Sequence, residues 1–501
     1  MRRRSPNRRR ARETLSLAVS RRINTATVHR RRVPLRVHNT LTRQKEDFVP
    51  RHPPRVTLFV CGLTPQDYAH LGHAKTYIAF DVIARYLRHK GYSVFYVQNV
   101  TDIEDRIIDK MRESGKDWKA IVQHHMEDYE RTMRLLDVTA ANVFAWATHY
   151  MPEIVRQIQG LIQKGFAYAA SDGSVYYDTT KFDGWGRLSG QKMEELEPGA
   201  RVEIDERKRN PADFVLWKAQ KPGEPAWDSP WGKGRPGWHI EDTAITIAHF
   251  GPQYDLHGGA TELMFPHHEA EIAQAEAFTG VRPFVKYWLH TGLLNVKGQK
   301  MSKSLGNFWT LHDALTAYDP MVLRFFLVYA HYRSPLDFTA EALDEAKASY
   351  GRLMETIRNA RATIRTASAE ARPGDDELKK GAVAAWGAFD AAMEDDFNTR
   401  EALAAVFEFA RLVNKALAAG AGQGALGDAV ALFDRAGGIL GLFRETASAA
   451  AEDGLLDLLV EAREAARTRK DFVIADRIRE RLGELGYVLD DGREGARWKR
   501  R

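Results

Sequence analysis

Two short segments, far apart along the chain, contain residue types that suit the binding of a nucleoside triphosphate. A His-Leu-Gly-His segment places His70 and His73 around Gly72, and a Lys-Met-Ser-Lys-Ser segment places Lys300 and Lys303 three residues apart. A phosphate can approach Gly72 closely because glycine has no side chain, and lysines meet outer phosphates as point charges. Together the segments predict attack on the α-phosphate of ATP with loss of pyrophosphate, which activates a carboxylate as an adenylate. Taken singly, they are also consistent with ordinary histidines at a helix start and with a solvated charge cluster.

A second candidate site is a metal centre. Residues 266–271 read Pro-His-His-Glu-Ala-Glu, so His267 and Glu271 share one face of a predicted helix and can both reach one ion. Cys61, the only cysteine, ends a predicted strand at the edge of the phosphate site and offers a thiolate. Without further context, Cys61 is equally a small buried apolar residue, and the His/Glu pair is part of a helix surface. A single cysteine also excludes an intrachain disulfide and favours a reducing, cytoplasmic location.

The third candidate is an Asp-Leu-His-Gly-Gly segment, where a predicted strand runs into a loop. The paired glycines Gly258 and Gly259 allow the backbone to approach a purine or ribose, and Asp255 can accept hydrogen bonds from ribose hydroxyls. We therefore predict that the segment contributes to the binding of ATP. A structural turn explains the same pattern equally well.

The elements around the first segment form a β-α-β pattern. Val56–Cys61 is a short apolar strand, residues 62–72 form a turn-rich loop, residues 74–90 carry apolar residues at helical spacing, and Ser93–Val100 is a second strand. The expected fold is an α/β fold with a doubly wound sheet of Rossmann type. Its ligand loop is expected at the carboxyl end of the first strand.

The rest of the chain departs from this alternation. Residues 165–236 are rich in proline and tryptophan and predict an inserted unit of hairpins and loops. Strand-like segments return at 253–256 and 284–296, and the chain is mostly helical from residue 311 onward. No apolar run reaches about 18 residues, so no membrane span is expected.

Charge is distributed unevenly along the chain. The formal net charge is +6, but residues 1–36 hold 13 of the 73 basic residues and one of the 67 acidic residues, which leaves residues 37–501 at −6. The basic leader has three interpretations: translated sequence upstream of the true start, a disordered arm for nucleic acid, or an organellar transit peptide. Because the body is mildly acidic, any site for a polyanion on it must be a local patch.

In their order and spacing, these segments resemble cysteinyl-tRNA synthetases, a family of class I aminoacyl-tRNA synthetases, from about Val37 to Arg501. The resemblance is carried by residues 59–62 (FVCG), 70–73 (HLGH), 210–218 (NPADFVLWK), 237–241 (GWHIE), 265–274 (FPHHEAEIAQ) and 300–307 (KMSKSLGN). It implies a Rossmann-type catalytic domain with a connective insertion, followed by a helical bundle and a small C-terminal anticodon-binding domain. The implied boundaries are 1–36 for the leader, 37–150 and 232–296 for the two halves of the catalytic domain, 151–231 for the insertion, 297–345 for the lysine-loop domain, 346–445 for the bundle and 446–501 for the anticodon-binding domain.

The resemblance implies that a monomer activates L-cysteine with ATP and transfers it to the 3′-terminal adenosine of tRNA(Cys). His70 and His73 would then act at the α-phosphate, and Lys300 and Lys303 with Mg²⁺ at the departing pyrophosphate. Family members hold one zinc ion per chain. A soft metal that binds the substrate thiolate separates cysteine from serine better than shape alone, which gives about 1–3 kcal/mol. Trp238 resembles the tryptophan of the family's amino-acid pocket.

One zinc ligand departs from the family pattern. The resemblance implies four ligands: two cysteines, a histidine and a glutamate. Cys61, His267 and Glu271 match three of them, whereas the position of the second cysteine holds Asp242. Aspartate keeps the charge and binds Zn²⁺ through oxygen at about 2.0–2.2 Å, but it is a harder ligand than thiolate. We predict that zinc still binds, more weakly, and still takes a thiolate substrate. The alternative is a pocket that has lost the metal or changed its amino acid.

The resemblance extends to five positions near the C-terminus that read the anticodon in the family. They are Arg467, Phe472, Asp476, Arg479 and Asp491. Phe472 stands where the family often has tryptophan, and either ring can stack on a base. Without the family, a charged amphipathic helix is the simpler interpretation. Two other functions stay open: a ligase that gives activated cysteine to another acceptor, as in the mycothiol pathway, and a non-catalytic tRNA-binding paralogue.

Overall fold

The computed structural model describes residues 34–191, 206–296, 298–300, 308–444, 447–485, 487–492 and 495–500. Its first element is an antiparallel hairpin of β1 (Arg36–Asn39) and β2 (Gln44–Asp47). The turn of this hairpin lies against the main sheet, where the Thr40 N–H donates to the Trp288 carbonyl at 2.8 Å.

The first half of the main sheet follows the predicted β-α-β pattern and then adds two helices and a strand. In chain order its elements are β3 (Arg55–Leu63), α1 (Leu71–His89), β4 (Ser93–Val100), α2 (Asp105–Ser114), α3 (Trp118–Leu135) and β5 (Val143–Trp146). The central residues of β3 are buried in succession, as in a parallel strand that is covered on both faces. The two predicted strands and the predicted helix are therefore confirmed.

The segment predicted as an insertion forms a separate small sheet. Helix α4 (Met151–Gln163) leads into four antiparallel strands. These are β6 (Ala167–Ala169), β7 (Val175–Tyr177), β8 (Phe214–Ala219) and β9 (Gly234–Pro236). All four strands lie within residues 165–236, where the sequence predicted hairpins, and β9 follows the boundary at residue 231 that the resemblance implied.

The chain then returns to the main sheet through α5 (Trp238–Phe250), β10 (Tyr254–Ala260), α6 (His267–Thr279) and β11 (Val285–Thr291). The five strands are parallel in the order β11-β10-β3-β4-β5, which confirms the doubly wound α/β fold. The chain runs outward from β3 on one side and later from β10 on the other, so the strand order reverses between β3 and β10. In open α/β sheets, ligands bind at the carboxyl ends of the strands beside this reversal.

The C-terminal half is mainly helical. After β12 (Leu294–Val296) and β13 (Gln299–Lys300) come α7 (Leu311–Ala317), α8 (Pro320–Tyr329) and β14 (Leu336–Phe338). The bundle consists of α9 (Ala340–Ile364), α10 (Asp375–Glu394), α11 (Thr399–Ala418) and α12 (Gln423–Leu440). The last elements are α13 (Ala447–Thr468), α14 (Phe472–Glu484), β15 (Tyr487–Gly492) and β16 (Gly495–Arg500). In the part of the chain that is described, no helix combines the length and apolar character that a membrane span needs.

Arg324 of α8 joins this helical half to the main sheet. Its guanidinium is fully buried, and Nη2 donates to Asp81 Oδ2 of α1 at 2.7 Å. Nε donates to the Leu440 carbonyl at the end of α12 at 2.8 Å, and Nη1 to the Leu136 carbonyl at 2.7 Å. A buried guanidinium is tolerated when its donors are satisfied in this way. The contacts hold α1 in a fixed position relative to the bundle.

Candidate active site

His70 and His73 lie at the N-terminus of α1, where they cap the helix. His70 Nδ1 accepts a hydrogen bond from the Gly72 N–H at 3.1 Å, and His73 Nδ1 accepts one from the His70 N–H at 3.2 Å. The two rings stack with their centroids 3.8 Å apart. Because each Nδ1 is an acceptor, each neutral ring carries its proton on Nε2. The arrangement is a reciprocal capping box built from two histidines.

This end of α1 is suited to an anion. The helix has 19 residues and no acidic residue in its first turn, so its N-terminus presents backbone N–H groups and a partial positive charge. Burial, and then the neighbouring His70, lower the pKa of His73 well below its ordinary value. His73 is therefore a neutral Nε2–H donor at neutral pH.

The predicted lysine segment falls largely outside the described residues. The backbone of β13 is described as far as Lys300, but the side chain of Lys300 and all of Lys303 are not. The chain is described again from residue 308, and Thr310 forms a β-bridge with His70. The Leu71 N–H also donates to the Trp309 carbonyl at 3.3 Å. The structure thus places Trp309 and Thr310, which follow the lysine segment in the sequence, against the start of α1.

His267, in the first turn of α6, is the centre of the candidate metal site. Its Nε2 lies 3.5 Å from Cys61 Sγ, 3.1 Å from Asp242 Oδ2 and 3.2 Å from Glu271 Oε1. All four side chains are buried. Around a tetrahedral zinc ion with ordinary bond lengths, neighbouring ligand atoms are about 3.4–3.6 Å apart. The three other donors therefore already lie near the distance from His267 that one shared zinc ion requires.

The electrostatics of this cluster also favour a cation. Burial, and then the negative charges of Asp242 and Glu271, raise the pKa of the Cys61 thiol well above its ordinary value. Burial and Asp242 likewise raise the pKa of Glu271. Buried acidic groups this close together are stable as anions only beside a counter-charge, which a divalent cation supplies. Cys61, Asp242 and His267 offer ligand atoms within 4.8 Å of one another, and Glu271 meets this group at His267, so the donor set suits a metal ion in its chemistry and charge.

Sequence reasoning missed the residues that contact these donors from outside. His267 Nδ1 lies 2.8 Å from His239 Nδ1, so one ring donates to the other and Nε2 of His267 is directed into the cluster. Asp242 Oδ1 accepts from Asn99 Nδ2 at 2.6 Å. Such contacts orient metal ligands and fix their protonation. A histidine that follows the predicted Trp238 was visible in the sequence, but nothing in its spacing indicated a contact with His267.

A second group of buried histidines lies directly behind Glu271. His257 Nδ1 is 3.6 Å from Glu271 Oε2, and His268 Nε2 is 4.0 Å from Glu271 Oε1. His268 Nδ1 continues to His290 Nε2 at 2.8 Å, and His290 Nδ1 to Thr40 Oγ1 at 2.8 Å. Burial lowers the pKa of His257 and His268 well below the ordinary value and that of His290 to about 3, so all three rings are neutral.

Trp238 covers the outer side of the cluster. Its indole stacks on His267 with the ring centroids 4.1 Å apart, and 38% of the side chain is exposed. Beside it opens a cavity of about 490 Å³ between the inserted sheet and the main sheet. The lining includes the aromatic residues Trp185, Phe214 and Phe265 and the basic residues Lys208, Lys218 and Arg235. A predicted pocket tryptophan thus lies between the candidate metal site and a cavity.

Asp255 does not belong to this site. It lies at the amino end of β10, whereas the ligand edge of the sheet is at the carboxyl end. Its buried carboxylate accepts from the Arg51 N–H at 2.6 Å, the Thr57 N–H at 2.9 Å and the Thr57 hydroxyl at 2.8 Å. The predicted role in ribose binding is therefore wrong, because Asp255 anchors two backbone segments instead.

The two glycines of the same segment lie inside β10 rather than in a loop. A Cβ at Gly258 would stand 2.3 Å from the Phe80 ring, and one at Gly259 would stand 2.7 Å from the His268 ring. Close packing of the protein's own side chains therefore accounts for both glycines. Their place near the carboxyl end of β10 keeps them at the ligand edge of the sheet.

Four of the five C-terminal candidates are described and exposed. Phe472, Asp476 and Arg479 share one face of α14, and 56% of the Phe472 side chain is exposed. Arg467 lies at the end of α13, and Asp491 lies in β15, where the side chain is outside the described residues. An exposed aromatic ring at this position is free of covering side chains on one side and so has the access that stacking on a base requires.

Comparisons with known proteins agree with this arrangement. Residues 47–348 match the family described as tRNA synthetases class I (C) catalytic domain, and residues 388–444 match the DALR domain family. The chain is 44% identical over 491 residues to a cysteine–tRNA ligase of Pelotomaculum thermopropionicum, covering 93% of this chain and 100% of the relative. It is 46% identical over 473 residues to a cysteine–tRNA ligase of Thermococcus onnurineus, covering 93% and 99%.

Solved structures of other synthetases share the fold. A methionyl-tRNA synthetase of Mycobacterium tuberculosis in complex with methionyl-adenylate aligns with a TM-score of 0.56 at 14% identity, covering 81% of this chain and 94% of that chain. The LeuRS–tRNA–LeuAMS ternary complex of Agrobacterium radiobacter K84 aligns with a TM-score of 0.58 at 11% identity, covering 79% and 85%. At these identities the likeness concerns the fold alone.

Proposed function

The chain belongs to the cysteine–tRNA ligase family of class I aminoacyl-tRNA synthetases, and we propose that it performs the family's reaction with a metal site in which aspartate replaces one cysteine. The reaction joins L-cysteine to tRNA(Cys) at the expense of ATP, through cysteinyl-adenylate. The observation that carries the proposed site is the set of three donors within 3.5 Å of His267 Nε2.

Zinc is the metal that we propose for this site, with Cys61, Asp242, His267 and Glu271 as its ligands, one ion per chain. When bound, zinc supplies a soft Lewis acid that takes the substrate's thiolate and so distinguishes cysteine from serine. The protein's part is to hold four donors in place and to keep water out of a buried cluster. The stacked indole of Trp238 forms the apolar wall of the amino-acid pocket.

The activation step depends on donors at the phosphates of ATP. We propose that the Nε2–H groups of His70 and His73, together with the N-terminus of α1, stabilise the charge that develops at the α-phosphate. Lys300 and Lys303, with Mg²⁺, would neutralise the departing pyrophosphate. The contact between Thr310 and His70 supports this assignment, because Thr310 follows the lysine segment by only a few residues.

The second step requires that the 3′ end of tRNA reach the same acyl group. The cavity of about 490 Å³ beside Trp238 supports entry there, since its lining includes aromatic rings on which a base can stack, together with both basic and acidic side chains. At the other end of the chain, we propose that Arg467, Phe472, Asp476, Arg479 and Asp491 read the anticodon. The exposed ring of Phe472 supports this role, because an exposed aromatic can stack on a base.

We further propose that the protein acts as a monomer in the cytoplasm, which is in keeping with its single cysteine. An organellar location is the alternative if the basic leader is a transit peptide. Fractionation of cells with a tag at the C-terminus distinguishes the two.

The experiment that tests the proposed function measures ATP–pyrophosphate exchange with cysteine, serine and a panel of other amino acids, with zinc quantified in the same sample. We expect exchange with cysteine alone and about one zinc per chain. Exchange with cysteine but no bound metal would overturn the zinc site, whereas exchange with another amino acid would overturn the substrate.

A further inference from the structure

Asn99, at the end of β4, lies between two of the four candidate metal ligands. It is 1% exposed, and its Oδ1 accepts from the Gly62 N–H at 2.5 Å. Its Nδ2 donates to Asp242 Oδ1 at 2.6 Å. Because a backbone N–H can only donate, the contact with Gly62 fixes which end of the amide carries oxygen. The NH₂ end therefore faces Asp242.

We propose that Asn99 is a positioning residue that makes Asp242 a one-oxygen metal ligand. The inference rests on the metal site of the proposed function and goes beyond it. With Oδ1 occupied by Asn99, the oxygen that remains is Oδ2, which lies 3.1 Å from His267 Nε2. The hydrogen bond thus decides which carboxylate oxygen faces the other donors.

The same amide also holds the segment that carries Cys61. Pairing between β3 and β4 is irregular from Val60 to Leu63, and the backbone at Gly62 lies very close to β4. A Cβ at Gly62 would stand 1.8 Å from the Asn99 carbonyl oxygen, so only glycine permits this approach. One side chain therefore ties the peptide after Cys61 to the carboxylate of Asp242.

This role is specific to a carboxylate at position 242. A thiolate has a single donor atom, so its orientation does not depend on a choice between two equivalent oxygens. A carboxylate can bind through either oxygen or through both, and an outside donor that occupies one of them removes this freedom. We therefore expect Asn99 to matter for metal affinity when residue 242 is aspartate and to matter much less when it is cysteine.

The test is a double-mutant cycle on the full chain, with zinc affinity measured by chelator competition. The variants are Asn99→Ala and Asp242→Cys, alone and combined. Loss of an outer hydrogen-bond partner typically lowers metal affinity about 10–100-fold. We expect a loss in this range for Asn99→Ala with Asp242 present, and with cysteine at 242 a much smaller loss, which reports the contact with Gly62 alone. The absorption spectrum of the cobalt-substituted protein, which reports the ligands and their geometry, should change on Asn99→Ala when residue 242 is aspartate and stay the same on Asn99→Ala when it is cysteine.

Gln98→Ala is the matched control. Gln98 is the preceding residue of β4 and equally buried, but its Nε2 donates to the Tyr129 hydroxyl at 2.9 Å on the opposite face of the sheet. If Asn99→Ala does not fold, Asn99→Ser, which keeps a hydroxyl near Gly62 without the NH₂ group, takes its place.

Two different results would overturn the inference, and they show whether the role of Asn99 or the metal site itself is wrong. An equal loss of affinity in both backgrounds, or no loss in either, would refute the role of Asn99 while zinc binding by the parent protein stands. If the parent protein contains no zinc and still catalyses cysteine-dependent exchange, the metal site itself is refuted, and the role of Asn99 with it.

Discussion

Replacement of His73 by glutamine separates the catalytic role of this ring from its role in helix capping. His73 is the third residue of α1, and its Nδ1 accepts from the His70 N–H at 3.2 Å. Glutamine is a preferred residue at this position of a capping box, because its side-chain oxygen accepts the same hydrogen bond. The substitution therefore keeps the cap and removes the imidazole Nε2–H that we assign to the α-phosphate.

The expected effect is large on rate and small on stability. Removal of one preorganised donor to a developing charge typically lowers kcat about 10²–10³-fold, equivalent to about 2.7–4 kcal/mol. We expect that loss in ATP–pyrophosphate exchange for His73→Gln, with KM for cysteine unchanged because His73 is not among the four metal ligands. His73→Ala removes donor and cap together, so it should lose the same activity and a further 0.5–2 kcal/mol or so of stability.

The assay combines pyrophosphate exchange at saturating ATP with urea unfolding of the same preparations. Retention of more than a third of the parent kcat by His73→Gln would refute the assignment of His73 to the α-phosphate. If the glutamine and alanine variants lost stability equally, the capping argument would be refuted instead.

Four further predictions concern other parts of the molecule. Arg324→Met should lower the free energy of unfolding in urea by about 1–3 kcal/mol, because the buried carbonyls of Leu136 and Leu440 lose their donor while Asp81 keeps its ion pair with Arg85; no measurable loss would contradict this. Phe472→Ala should lower kcat/KM for aminoacylation about 5–150-fold through lost base stacking, with pyrophosphate exchange unchanged; a parallel fall in exchange would point to a structural role. Lys208→Glu should raise KM for tRNA several-fold without affecting exchange, and an unchanged KM would exclude the cavity as the entry for the acceptor end. Burial, and then Arg435, lower the pKa of His89 to about 4, so the folded protein should lose stability as the pH falls from about 6.5 to about 4. After solvent screening, we expect this loss to be about 1–2 kcal/mol. Urea unfolding at pH 7.5 and pH 5 should show the loss in the parent protein and not in His89→Gln.

The sequence predicted those parts of the fold in which local pattern and tertiary structure agree. Strand β4 begins and ends at the predicted residues because its apolar run is bounded by a glycine before it and by polar residues after it. Helix α1 was recognisable from its apolar spacing, and His70 and His73 from their position at its start. The family resemblance then supplied Asp242 as the counterpart of a cysteine, and the structure brings it within 3.1 Å of His267 Nε2.

The remaining errors and omissions have a common physical cause. The strand was predicted to end at residue 256 because two glycines follow soon after, yet β10 continues through them, and Phe80 and His268 pack where their side chains would be. Asn99 and His290 were missed because their partners, Asp242 and His268, lie on the helices α5 and α6 rather than on their own strands. Spacing along one element carries no information about such contacts, since parallel strands align residues that are distant in sequence.

Cys61 has a consequence for how the protein is itself translated. It is the only cysteine among 501 residues, so each new copy consumes one cysteinyl-tRNA, at the codon for a residue that we assign to the metal site. If serine were wrongly attached to tRNA(Cys), the copies made from it would carry serine at position 61 and lack the thiolate. An error in charging would therefore produce copies of the protein that lack one of the proposed metal ligands. Aspartate at position 242 confines this dependence to a single codon.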